Sequence, residues 1–218
     1  MRWQDIADFV PILLQGAMMS IIITLGCLLL STVLGLTWAL LKMSRYPHVV
    51  RSVSAMINVV RGLPMIVLLF YIYFVLPDIH IQVSALQASI IGLGFGYSTY
   101  VAEIFRAGIE AVDPGQYEAA QSIGMGRVKT MVRVILPQAI KVALPPYSNT
   151  LVMMLKDSSL ASTITVAEMT REGQLIASST FQNLTVYTLV ALGYLAMSLP
   201  LMSMTRNLER RFGRHRAR

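Results

Sequence analysis

The sequence predicts an all-α polytopic membrane protein, and three observations carry that expectation. First, long stretches hold no Asp, Glu, Lys or Arg: positions 9–41, 62–77, 79–102 and 173–205. A helix needs about 20 apolar residues to cross the hydrocarbon core of a bilayer. Three of the stretches reach that length outright. The one from Gly62 reaches it once Arg61 snorkels at the membrane edge, because 52–60 is also uncharged. Second, 55% of the residues are hydrophobic and only 13% charged, with a mean hydropathy of +0.62. A soluble domain carries about 25% charged residues, so this chain has too little polar surface to cover itself. Third, the net charge of +7 is clustered. Of 18 Lys and Arg, four lie in 42–61, five in 106–141 and six from Arg206 to the end. Basic segments mark the cytoplasmic side of membrane proteins, so these three should share that side, and no nucleic-acid partner is needed to explain them. Only helices and closed barrels satisfy their backbone in lipid, and the apolar runs lack the alternation of a barrel strand.

Five spans follow in order. The first is expected over 11–41, with Asp5 and Asp8 outside it. The segment 42–56 is basic, holds no acid and lies inside. The second span covers 57–76. Gly62 and Pro64 fall in its first turns, where a bend or close packing is tolerated. Positions 77–82 form a short outer turn. His80 there is a solvated residue, and no Cys, second His or carboxylate cluster accompanies it to make a metal site. The third span covers 84–107. Gly92, Gly94 and Gly96 permit close helix approach in lipid. They are no nucleotide motif, because no strand precedes them. Glu103 and Arg106 are three apart and can pair on one helix face. The fourth span covers 145–165 and is interrupted by Lys156 and Asp157. Positions 166–183 connect it outside, with room for a short helix, to a fifth span over 184–204. Five crossings place the N-terminus outside and the C-terminus inside. Four or six would leave a basic segment on the wrong side. No internal repeat is visible, so 1–218 reads as one domain. Cys27 is the sole cysteine, which excludes an internal disulfide. The first apolar run is too long for a cleavable signal core.

The segment 113–137 stands apart as a water-facing helical insert between the third and fourth spans. Asp113 suits an N-cap, Pro114 the first helical position, and Gln116 the third position of a capping box. Ala119, Ala120, Ile123 and Gly124 form a compact face, and Gly124 with Gly126 breaks the helix. A second helical piece carries Val128, Met131, Val132 and Ile135 at helical spacing, and Pro137 marks a bend. A polar helix, a glycine turn and a second helix make a handle for another protein. The competing reading is an amphipathic helix resting on the membrane surface.

Glu118, Ala119 and Ala120, then Gly124 after three residues, Val134 after nine more, and Leu136 and Pro137 after one, together resemble the EAA loop of ABC importer permeases. Val134 stands where the family has Ile. The flanks over 97–165 are similar to permease subunits of polar amino-acid importers of the histidine, glutamine, arginine and opine type. Arg61, Gly62, Leu63 and Pro64 resemble a second-helix motif of that group, with Leu63 where Thr is common. The resemblance implies the type I ABC importer permease fold and a coupling helix seated in a cleft of a cytoplasmic ATPase. Glu118, Ala119, Ala120, Ile123, Gly124 and Gly126 would then form the contact. It also implies two ATPase subunits, a periplasmic substrate-binding protein, a permease core that is a homodimer or a pair of related subunits, and residence in the bacterial inner membrane. No Walker A pattern occurs in the chain, so ATP and Mg are expected at the partner ATPase, and no cofactor on this chain.

An ionisable residue at membrane depth faces a partner or water, because its burial is costly. Adjacent residues do not face each other on a helix, so Lys156 and Asp157 each need a partner. An amino acid offers an ammonium to Asp157 and a carboxylate to Lys156. Alternatively the pair is satisfied within the bundle, Lys156 by Glu103 or Asp157 by Arg106. Asn149, Met153 and Ser159 are further candidates for the path wall, since positions 149, 153 and 156 or 157 share one helix face. A different small solute is an alternative cargo. A stand-alone channel or secondary transporter is the alternative class, disfavoured by the absence of an inverted repeat. An intramembrane enzyme lacks any catalytic constellation in the spans.

Overall fold

The computed structural model describes residues 3–213. Arg214, Arg216 and Arg218 of the expected basic tail lie outside the described residues. The described chain is helical from end to end, and the helices differ from the expected spans in instructive ways. Helix α1 is Trp3–Lys42. It begins before the expected position 11, so Asp8 sits in the helix rather than ahead of it. Helix α4 is Ala85–Glu110, close to the expected third span. It opens on a complete capping box: Ser84 accepts from the Gln87 amide, and the Gln87 side chain accepts from the Ser84 amide.

Glycine notches let α1 and α4 pack closely. A Cβ at Gly35 would fall 2.6 Å from Cγ1 of Val101 and 3.0 Å from the Ser98 carbonyl, and one at Gly94 would fall 2.9 Å from Leu30. Trp38 Nε1 donates to Ser98 Oγ across the same seam at 3.1 Å. Overpacking a tight contact costs about 1–3 kcal/mol. Gly35→Leu is expected to lower the apparent unfolding temperature in detergent by roughly 3–8 °C. Unchanged stability would mean that α1 slides freely away from α4.

The expected second span over 57–76 is corrected. The structure has α2, Pro47–Arg61, and α3, Met65–Phe70, and α3 runs on through a π turn and a 3-10 turn to Ile79. The two halves meet at 101°. Pro64 cannot donate to the helix ladder and pushes Leu63 out of the α region. The uncharged run 52–60 misled because it is amphipathic rather than apolar. Val53 and Ile57 are buried against Trp38, Leu41 and Ala102, and Val60 is buried too, while Ser52, Ala55 and Asn58 are exposed.

The insert contains α5, Pro114–Ser122, and α6, Arg127–Thr130. Asp113 caps α5 by accepting from the Gly115 amide at 2.7 Å, but Gln116 does not complete a capping box. The expected bend at Pro137 and the helix start near Pro145 are both corrected. Helix α6 passes through a π turn, Met131–Ile135, straight into α7, Leu136–Asp157. Pro137 falls in the first turn of α7, where its missing N–H is cheapest. Pro145 and Pro146 lie within the helix, as membrane helices tolerate. Lys156 and Asp157 were expected midway along the span. They instead close α7, and a 3-10 turn, Ser158–Ile164, follows. The connection expected outside, over 166–183, holds α8, Met169–Thr180, and the last helix α9, Asn183–Gly213, runs nine residues beyond the expected end at 204.

Among the described residues, two helices are long and apolar enough to cross a membrane by themselves, over Ile6–Lys42 and Asn183–Phe212. The bent pair Pro47–Arg61 and Met65–Ile79 makes a third if it counts as one span.

Candidate functional site

Two groups of residues stand out, one at each end of the rod formed by α6, the π turn and α7. At the first end, the turn between α5 and α6 is open. Gly124 adopts φ +79°, and a Cβ built on it, or on Gly126, would have no neighbouring heavy atom within 4 Å. Glu118 and Ala119 are exposed and Ala120 is buried. Ile123 and Val128, on either side of the glycines, are each 78% exposed. The expected apolar stripe of the second piece is split. Ile135 turns inward, while Val128 and Val132 face outward. The turn therefore presents two bare branched side chains around a bare backbone.

At the other end, Asp157 is half-buried, and its Oδ2 accepts from Tyr97 Oη at 2.7 Å. Tyr97 is only 2% exposed. Lys156 is exposed, and its ammonium has no hydrogen-bond or ion-pair partner among the described residues. Asn149 and Met153 are exposed with it, so the three form one outward stripe with Asp157 at its edge. Ser159 Oγ donates to the Lys156 carbonyl at 2.7 Å and holds the start of the 3-10 turn.

The structure separates Glu103 and Arg106 from this group. Glu103 is held between Lys42 and Arg106, whose Nη2 lies 2.7 Å from Glu103 Oε2, and Arg106 also reaches Glu110. Neither in-bundle pairing considered for Lys156 or Asp157 forms. Glu103 lies six residues from Tyr97 along α4, about 9 Å of helix rise. The predicted Glu103–Arg106 pair is present within α4, and Lys42 at the end of α1 joins it at Glu103; neither residue reaches Asp157.

Two residues escaped the sequence reading. Tyr97 had a usable signal: a tyrosine in a glycine-rich apolar run needs a partner for its hydroxyl when buried. Glu168 had none. It is fully buried and caps α8, accepting from the amides of Thr170 at 3.0 Å and Arg171 at 2.8 Å. Its carboxylate also accepts from Ser20 Oγ of α1 at 3.2 Å and from Tyr194 Oη of α9 at 2.6 Å.

The family described as "Binding-protein-dependent transport system inner membrane component" matches residues 31–214. The chain belongs to this family. Other inner membrane components resemble it over nearly their full length. It is 36% identical over 94% of its length to the probable amino-acid ABC transporter permease protein YckA of Bacillus subtilis, covering 91% of that protein. It is 33% identical to the glutamine transport system permease protein GlnP of Escherichia coli, over 96% of each chain. A solved structure described as an amino acid ABC transporter with histidines superposes with a TM-score of 0.90 at 37% identity, over 97% of this chain and 99% of that one. The helical architecture is therefore that of an ABC importer permease.

Proposed function

We propose that the chain is the transmembrane permease subunit of an importer that moves a polar amino acid, or an opine-like derivative, from periplasm to cytoplasm by alternating access. The observation that carries this reading is the Gly124 turn: a left-handed glycine flanked by exposed Ile123 and Val128, with open space around it, at the EAA spacing of a family member. Five crossings suit the helices: α1, the α3 segment beyond the bend, α4, α7 with its 3-10 turn, and α9. Helix α4 has 26 residues, about 39 Å at 1.5 Å each, enough to span the hydrocarbon. The N-terminus then faces the periplasm and the C-terminus the cytoplasm. Two ATPase subunits, which bind ATP and Mg, dock on the turn. A periplasmic binding protein delivers the cargo. A second copy or a related permease completes the path. The names of YckA and GlnP support an amino acid as cargo.

In this reading Asp157, oriented by the Tyr97 hydroxyl, meets the cargo's ammonium, and Lys156 meets its carboxylate, with Asn149, Met153 and Ser159 along the wall. The chemistry left to the chain is orientation and charge compensation. The transporter, purified with its ATPase subunits and reconstituted in vesicles with its binding protein supplied outside, should take up one or more polar amino acids only with internal ATP. Asp157→Ala should lower that uptake about tenfold or more, the scale of a lost charge-assisted hydrogen bond. Assembly should survive, since only the Tyr97 hydroxyl loses its acceptor. Unchanged transport kinetics would remove Asp157 from the path, and failure to co-purify with any ATPase would remove the importer.

A further inference from the structure

The elbow between α1 and α3 carries cations that the bundle leaves without a carboxylate. Lys42 and Arg106 are neutralised by Glu103 and Glu110. Arg45, Arg51 and Arg61 have no ion pair among the described residues, and positions 43–77 contain no Asp or Glu at all. Arg61 lies over the Tyr100 ring at 4.8 Å and is held by the protein. Arg45 is stacked only on its exposed neighbour Tyr46, at 4.9 Å, with Nη2 donating to Tyr46 Oη at 2.8 Å.

The geometry of α2 gives these cations a place. The helix has 15 residues, about 22 Å, and meets the α3 segment at 101°. If that segment crosses the bilayer, α2 lies along its surface. Its inner face is taken by the protein through Val53, Ile57 and Val60. Its outer face is open and mixes Arg51 with Val59, which is 65% exposed. Tyr46, 54% exposed, stands at its start. Cations beside exposed apolar and aromatic groups, on a helix lying in the plane of the interface, match the chemistry of a headgroup layer. A guanidinium fork also fits a phosphate diester better than an ammonium does.

We propose that the open face of α2, through Arg51, together with Arg45 just ahead of the helix, binds anionic phospholipid headgroups of the inner leaflet. The inference rests on the reading above that the α3 segment crosses the membrane with 42–61 inside. The partner is a lipid rather than the ATPase because this face is acid-free and apolar-edged, and because the exposed turn at Gly124 already offers the ATPase its handle.

The test uses the purified full chain in detergent, titrated separately with dioleoyl-phosphatidylglycerol and dioleoyl-phosphatidylcholine and read by native mass spectrometry. Phosphatidylglycerol adducts should predominate. Each cation at an anionic surface contributes about a fivefold factor, so Arg45→Ala with Arg51→Ala should cut them at least about fivefold and leave phosphatidylcholine adducts unchanged. Equal binding of the two lipids by the parent, or a variant whose phosphatidylglycerol adducts fall less than about fivefold, overturns the proposal. A preference lost when the chain is purified with its ATPase subunits bound gives the face to the ATPase and overturns it too. An impermeant maleimide on intact cells separates this inference from the one beneath it. Labelling of Asp78→Cys with sparing of Ser52→Cys places α3 across the membrane, so that a missing lipid preference then counts against the lipid site alone. Any other labelling pattern refutes the crossing itself.

Discussion

Gly124→Asp is expected to abolish ATP-driven uptake while leaving the chain folded. The two halves of that result have separate causes. Position 124 sits at φ +79° with no neighbouring heavy atom within 4 Å of an added Cβ. Aspartate is among the residues that tolerate this backbone region, at a cost of about 1–2 kcal/mol. The fold therefore absorbs the change. A partner's cleft does not: a carboxylate forced between Ile123 and Val128 is desolvated without a partner, which costs about 1–3 kcal/mol at least. Uptake should fall tenfold or more, while expression and monodispersity in detergent stay as in the parent. Vesicle uptake measured together with ATP hydrolysis reads the outcome. Normal coupling in the Gly124→Asp transporter would sink the docking role of this turn.

The second large effect is expected at Glu168. Its carboxylate gathers four donors from three helices: the Thr170 and Arg171 amides of α8, Ser20 of α1 and Tyr194 of α9. Met169 packs in beside it, so that a Cβ on Gly16 would lie 2.7 Å from Met169 Cα. Glu168→Ala leaves these donors facing a cavity. Each unsatisfied buried group costs about 1–3 kcal/mol, and four donors lose their acceptor at once. The apparent unfolding temperature in detergent should drop by roughly 6–15 °C. Glu168→Gln keeps the shape and one carbonyl acceptor but turns an amide N–H₂ toward other donors, so it should lose about half as much. A drop of only a degree or two in Glu168→Ala would mean that water replaces the carboxylate at no cost.

Local signals written in a few adjacent residues were legible in advance. Asp113 announced α5, and Gly124 with Gly126 announced the break. The Gly124 spacing also pointed to the candidate handle. What was not legible depends on partners far apart in the chain. Nothing near Asp157 pointed to Tyr97, sixty positions earlier, and nothing near Glu168 pointed to Ser20 or Tyr194. The sharp break after Arg61 was hidden for another reason. The stretch 52–60 has no charge and so resembles a span, yet its serines and Asn58 give it a polar side. Prolines misled in the opposite direction. Pro137, Pro145 and Pro146 read as boundaries, but a neighbouring π turn and the surrounding bundle let one helix run through all three.

That unbroken run has a mechanical meaning. From Arg127 to Asp157 the chain is a single strut of 31 positions, about 46 Å long at 1.5 Å per residue. The bare glycine turn sits at its foot and the Asp157–Tyr97 contact at its head. A strut of that length is a lever arm: tilting its foot by about 5° swings its head by about 4 Å, more than the whole reach of a hydrogen bond. The π turn and the paired prolines, where ladder bonds are shifted or missing, are its two compliant joints. The stiff length between those joints stops short of both ends, so a displacement at the foot has to cross both of them before it reaches Asp157.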